Sequence, residues 1–104
     1  MTTLSTHVLD TRLGAPAPGM EVELFRPAGD GWEQVVQGVT DDDGRFGGFG
    51  ELGPGTYRLV FETGRYGNDF YPLVAVVFVV DDDTGHLHVP LLLSPYGYTT
   101  YRGS

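Results

Sequence analysis

Glycine and proline punctuate this chain so often that long helices have no room. The 16 glycines and 7 prolines fall between short runs of β-branched and aromatic residues, the pattern of an all-β chain with many turns. Met20 to Phe25 and Thr56 to Thr63 alternate apolar with polar residues, the period of a half-buried strand. Leu4 to Asp10, Trp32 to Val36, Phe46 to Phe49, His86 to Leu93 and Tyr96 to Arg102 read as further strands. Leu73 to Val80 is a continuous apolar run, short and β-branched, and reads as a strand buried on both faces. A helical turn fits only within Gly64 to Pro72, and poorly. The expectation is a two-sheet antiparallel sandwich of about eight strands with at most one short helical turn. One domain over residues 1–104 accounts for the whole sequence.

A chain of 104 residues can build one core but not enclose a deep pocket as well. A site should therefore lie on a face, in surface loops or between subunits. With no cysteine, disulfides and thiolate chemistry are excluded. With no lysine, so is a Schiff base. A formal net charge of −8 repels nucleic acid and anionic membrane. No leader pattern opens the chain and no run reaches a spanning length, which makes the cytoplasm the expected compartment. Asp41-Asp42-Asp43-Gly44 and Asp81-Asp82-Asp83 lack the alternate-position ligands of a calcium loop and read as solvated turns. No cofactor is expected.

Hydrolytic chemistry without cysteine or metal needs a group titrating near neutrality, and only His7, His86 and His88 do so without a large shift. His86 and His88 are two apart, so in a strand they share a face. A cation to stabilise an oxyanion is the companion requirement. Arg45, after the Asp-Gly turn, and Arg102 are the candidates; Arg12, Arg26, Arg58 and Arg65 read as ordinary surface arginines. Spacing also permits a zinc site, since His86-x-His88 with His7 would leave an open fourth position. The last segment, Leu91 to Ser104, is dense in aromatics and hydroxyls, unlike a disposable tail.

Pro16 to Leu24, Thr40 to Arg45 and Gly55-Thr-Tyr57 look like many prealbumin-type sandwiches, which argues fold and not function. The two ends are more specific. His7-Val-Leu-Asp10 followed by Gly14, and His88 through Leu91, Pro95, Tyr101, Arg102, Gly103 and Ser104, resemble the signature segments of transthyretin-like 5-hydroxyisourate hydrolases. That resemblance implies a prealbumin-like homotetramer with active sites between subunits. It implies catalytic roles for His7, Arg45 and His88, a supporting role for His86, and substrate contacts from Tyr101, Arg102, Gly103 and Ser104. The implied reaction is addition of water to a ring amide of 5-hydroxyisourate, giving 2-oxo-4-hydroxy-4-carboxy-5-ureidoimidazoline. A histidine takes the proton of water and Arg45 holds the developing anion. The zinc-dependent cyclic-amide hydrolase and a non-catalytic transthyretin-like binding module are the alternatives; the thyroid-hormone carrier of this fold lacks the histidines and the final Arg-Gly-Ser. One departure is visible: Gly64 to Pro72 is shorter than the family's usual helical segment.

Overall fold

The structure is a computed structural model that describes residues 1–103. Strand β1 (Thr2–Asp10) sets its plan. Thr2, Leu4, Thr6, Val8 and Asp10 are buried, and the residues between them lie on the opposite, outer face, the alternation of a strand with one side on a core. Along one edge β1 bonds antiparallel to β2 (Ala15–Pro16), β5 (Arg45–Phe46) and β6 (Glu51–Leu52). Along the other it bonds to β9 (His86–His88) and β10 (Leu91–Ser94), and β11 (Gly97–Thr100) continues the sheet beyond β10. The second sheet has the order β4 (Gly31–Val39), β3 (Glu21–Ala28), β7 (Gly55–Phe61), β8 (Val74–Val80). Leu4, Val8, Leu24, Phe49, Leu59, Phe61 and Leu91 fill the space between the sheets.

The two-sheet sandwich matches the expectation, with local corrections. β1 runs parallel, not antiparallel, to β9 and β10. A hairpin forces antiparallel neighbours, but the chain reaches β9 from the other sheet by a loop, and that crossing imposes no such direction. The expected strand from His86 to Leu93 is divided at Val89-Pro90 because proline has no N–H for the ladder. Side chains hold the break together: buried Thr6 Oγ1 donates to the Val89 carbonyl at 2.6 Å, and Thr100 Oγ1 to that of Pro90 at 2.8 Å. β8 is buried on one face only. Val74 and Val80 point inward while Val77 and Val79 are 58% and 69% exposed, since a two-layer sandwich supplies no third layer for an apolar outer face. Arg58 is more than a surface residue: it is half-buried with its guanidinium 5.0 Å from the Phe25 ring centre and 4.8 Å from that of Trp32.

The one helix among the described residues, α1 (Thr63–Tyr66), is a single turn, as short as the glycine-containing segment suggested. It places Tyr66 over the end of β1, where its hydroxyl donates to Asp10 Oδ2 at 2.8 Å. Asp10 Oδ1 accepts the backbone N–H groups of Arg12 and Leu13 at 3.0 and 3.3 Å. Burial, and then the Asp10 carboxylate, push the Tyr66 phenol up to about 12, so it keeps its proton and remains a donor. A cleft of about 600 Å³ opens beside this lock, lined by Arg12, Tyr66, Phe70 and Tyr96 among others, but by none of the histidines. Tyr66→Phe should lower the unfolding free energy by about 1.5–3 kcal/mol, the usual worth of a hydrogen bond to a charged group, as read from urea denaturation. An unchanged midpoint would show that the two backbone donors already satisfy Asp10.

Candidate active site

The outer face of β1 presents Thr3, Ser5 and His7 in one line, with Ser5 and His7 about 7 Å apart along the strand. The neighbouring strands add to that line from both sides. His7 is in register with Arg45 of β5, and Ser5 with His88 of β9. Register partners share a face, so two strand edges bring Arg45 and His88 to the face that carries His7.

Local sequence explains how each group is held. Before β5 the acidic run folds into a turn in which Asp41 Oδ1 accepts the N–H groups of Asp43 and Arg45 at 2.9 and 3.0 Å. The carboxylate closes a turn, as expected of a solvated Asp-Gly loop. Gly44, at φ 76°, ends it, and a Cβ there would lie 2.5 Å from the Val8 carbonyl oxygen. Only glycine lets the turn dock so closely on β1. The Asp43 carbonyl then accepts a hydrogen bond from His7 Nε2 at 2.9 Å. In the neutral ring that leaves Nδ1 as the unprotonated nitrogen. Arg45 is anchored by its neighbour: the Phe46 ring packs against Gly38 of the opposite sheet, where a Cβ would come within 2.2 Å of it. The Arg45 side chain is exposed and has no ion-pair partner among the described residues.

On β9, Leu87 is buried and His86 and His88 take the outer face, as their spacing predicted. His88 is half-buried; His86 is exposed. Ser5 Oγ lies 2.8 Å from His88 Nδ1 and 2.9 Å from His86 Nε2, and Thr3 Oγ1 lies 2.6 Å from His86 Nδ1. Burial lowers the His88 pKa from its ordinary value, and Arg45, His7 and His86 lower it further. The imidazole is thus biased to its neutral, proton-accepting form. Behind it, Gly103 forms a bridge to His88 and donates its N–H to the His88 carbonyl at 2.8 Å. A Cβ on Gly103 would lie 2.6 Å from His88 Cδ2, so the ring keeps its place only against glycine.

The remaining candidates are placed differently. Tyr101 and Arg102 line a hollow of about 190 Å³ with Val76, Phe78 and Val79, at the open edge between the sheets. Ser104 lies outside the described residues. Among the described residues no three His, Cys, Asp or Glu side chains group as metal ligands, so the three histidines of the zinc alternative do not come together as a ligand set within one chain. His7 Nε2 faces a carbonyl, and both nitrogens of His86 face hydroxyls. Ser5, Thr3 and the Asp43 carbonyl were not singled out from sequence. The signal for Ser5 was present, two residues before His7 on the same face, but hydroxyls are too common on strands for that to stand alone.

The sequence model of the HIUase/Transthyretin family matches residues 4–103. The chain belongs to that family. It is 46% identical to a 5-hydroxyisourate hydrolase of Salmonella dublin, over 97% of this chain and 80% of the relative. It is also 46% identical to that of Mus musculus, over 97% and 94%. The Klebsiella pneumoniae 5-hydroxyisourate hydrolase structure superposes with a TM-score of 0.89 over 100% of both chains, at 37% identity. Sea bream transthyretin in complex with thyroxine superposes at 0.88, with 31% identity, over 97% of this chain and 94% of the other.

This family member's site has a titration that can be read directly. His88 should titrate below 6.5, its ordinary value, in side-chain NMR spectra followed against pH. Arg45→Gln removes a cation that disfavours the imidazolium, so the midpoint should move upward. A midpoint that stays put in Arg45→Gln would show that the guanidinium is too well solvated to act on the ring.

Proposed function

We propose that this chain hydrolyses 5-hydroxyisourate in urate degradation, acting as a cyclic-amide hydrolase through His7, Arg45 and His88. The observation that carries the reading is the meeting, on one sheet face, of two imidazoles and a guanidinium with no ion-pair partner among the described residues, drawn from three strands. Its relatives at 46% identity are named for that activity. One domain over residues 1–104 suffices for it.

Neutral His88, with its lowered pKa, suits removal of a proton from water at neutral pH. The water oxygen then bonds to the ring amide carbonyl carbon. Arg45 donates to the carbonyl oxygen as it becomes an oxyanion, which is where a fixed cation lowers the barrier most. The tetrahedral adduct breaks its carbon–nitrogen bond, and a histidine returns a proton to the departing nitrogen to give 2-oxo-4-hydroxy-4-carboxy-5-ureidoimidazoline. His7, held by the Asp43 carbonyl, offers its Nδ1 as the second proton-handling group. Tyr101, Arg102, Gly103 and Ser104 keep the substrate-binding role that the family resemblance implies, Tyr101 and Arg102 from the hollow at the open edge between the sheets, and the reaction as proposed calls on no metal.

The functional unit is a homotetramer in the cytoplasm. The site is an open sheet face, so a second copy is needed to wall it. Tyr96, Tyr98 and Tyr101, exposed by 80%, 45% and 55%, with Val77 and Val79 on β8, supply an interface-like composition. Among the described residues no helix is long and apolar enough to cross a membrane, and the net charge of −8 disfavours nucleic acid.

The decisive assay generates 5-hydroxyisourate from urate with urate oxidase and follows its absorbance with and without this protein. Decay faster than the spontaneous rate, and unchanged after chelation, is expected; decay at the buffer rate would overturn the reading. His7→Asn and His88→Asn should each lower kcat by roughly a hundredfold or more with the fold intact, as for loss of a general acid or base. His86→Asn should cost much less. Gly103→Ala should also reduce kcat, because catalysis responds to displacements of about 1 Å. Light scattering should return a tetramer mass; a fully active monomer would remove the shared wall.

A further inference from the structure

His88 is one end of a line of hydrogen bonds that leads out of the site. Its Nδ1 meets Ser5 Oγ at 2.8 Å, the same oxygen meets His86 Nε2 at 2.9 Å, and His86 Nδ1 meets Thr3 Oγ1 at 2.6 Å. The four side chains are aligned because β1 and β9 run parallel, with Thr3 opposite His86 and Ser5 opposite His88. His88 and Ser5 are half-buried, while His86 and Thr3 are exposed. The line therefore starts beside the proposed reaction centre and ends in solvent.

A hydroxyl has one proton to donate, and a neutral imidazole carries a proton on one nitrogen only. With both rings neutral and every bond made, the line has two polarities. In the outward one, His88 Nδ1–H donates to Ser5, Ser5 donates to His86 Nε2, and His86 Nδ1–H donates to Thr3. His88 Nε2 is then a free base. In the inward one every bond is reversed, and His88 Nε2 carries a proton it can give away. Resting on the hydrolase reading above, we propose that Ser5 and His86 are positioning residues that join His88 to solvent as a proton relay, with Ser5 as the coupling atom.

The relay balances. From the outward polarity, His88 Nε2 takes a proton from the attacking water, whose oxygen bonds to the carbonyl carbon. The Nδ1 proton passes to Ser5, that of Ser5 to His86 Nε2, the Nδ1 proton of His86 to Thr3, and that of Thr3 to bulk water. The line is left inward, with His88 Nε2–H ready to protonate the departing nitrogen. When it does, one proton enters at Thr3 and the same steps run backward, restoring the first state. No step stores a positive charge on His88. That suits its surroundings: burial first, and then the fixed charge of Arg45 on β5, with His7 on β1 and His86 on its own strand close by, disfavour an imidazolium there.

The test compares Ser5→Ala, Ser5→Thr, His86→Asn and the Ser5→Ala/His86→Asn double variant in the full chain. Asparagine reaches the Nδ1 position of a histidine but not Nε2, so it breaks the link to Ser5. Ser5→Ala should lower kcat about tenfold with KM nearly unchanged, and His86→Asn should lower it by a similar factor. The double variant should be no worse than either single one, as for two parts of one unit. Ser5→Thr, which keeps the hydroxyl, should retain most of the activity. In parallel, nitrogen-15 shifts of His88 report its tautomer without any substrate. His86→Asn should change that tautomer ratio when Ser5 is present and leave it unchanged in Ser5→Ala. Wild-type kcat in Ser5→Ala, or a His88 tautomer indifferent to Ser5, overturns the relay. Should the unmodified protein fail to hydrolyse 5-hydroxyisourate, the functional reading falls, and the NMR arm still decides whether Ser5 couples the two histidines.

Discussion

The structure depends on the backbone ladder of β1, which is bonded along both edges and shared by the core and the site. Because side chains alternate, a slip of one residue would turn every outward group inward. Ser5 and His7 would enter the core, and Leu4, Thr6 and Val8 would face solvent. The register is pinned from the inside. Thr6 Oγ1 is buried and satisfied by the Val89 carbonyl, and a displaced strand would leave that hydroxyl without its partner, at about 1–3 kcal/mol. The same bond spans the gap opened by Pro90. The buried face thus keeps His7 opposite Arg45 and Ser5 opposite His88, although none of those four side chains belongs to the core.

Close backbone approach is the second constraint, and glycine meets it at the points that matter for the site. Gly44 lets the Asp41 turn rest on β1, which brings the Asp43 carbonyl to His7. Gly38 receives the Phe46 ring from the other sheet and so steadies the strand that carries Arg45. Gly103 lies against the ring of His88. These residues touch no proton themselves. A methyl group at any of them would move a neighbour that does. Acidic residues, by contrast, gather in turns such as Asp41 to Asp43 and Asp81 to Asp83, so that in a chain of net charge −8 no carboxylate among the described residues forms an ion pair with Arg45 or the histidines.

Much of this was legible in the sequence where the controlling physics is local. Period-two alternation put His86 and His88 on one face, and glycine and proline spacing implied short strands and a vestigial helix. Non-local features were harder to read. Nothing in spacing sets Arg45 beside His7, since that pairing depends on how the turn at Asp41 docks; sequence chemistry offered Arg45 as a candidate cation, and only the resemblance implied that it works with His7. The apolar run of β8 suggested burial on both faces, but continuity of apolar residues cannot tell a central strand from one whose outer face meets another molecule. The direction of β9 relative to β1 followed from a sheet crossing that sequence does not mark. Ser5 was silent because a hydroxyl acquires meaning only from the two imidazoles on the adjacent strand.

Arg45 links the site's electrostatics to the order of events in the proposed reaction. In the resting site its charge helps keep His88 neutral, which makes the ring available as a base but also weakens it. As water adds to the carbonyl, negative charge grows on the oxygen that Arg45 holds, and the field of the guanidinium at His88 is partly cancelled. The basicity of His88 should therefore rise as the oxyanion forms, at the moment when the proton must leave the water. When the adduct collapses and the oxyanion is lost, the full cationic field returns and favours release of the proton from His88. One fixed cation can thus stabilise the developing anion and shift the base in phase with it, without any movement of the backbone.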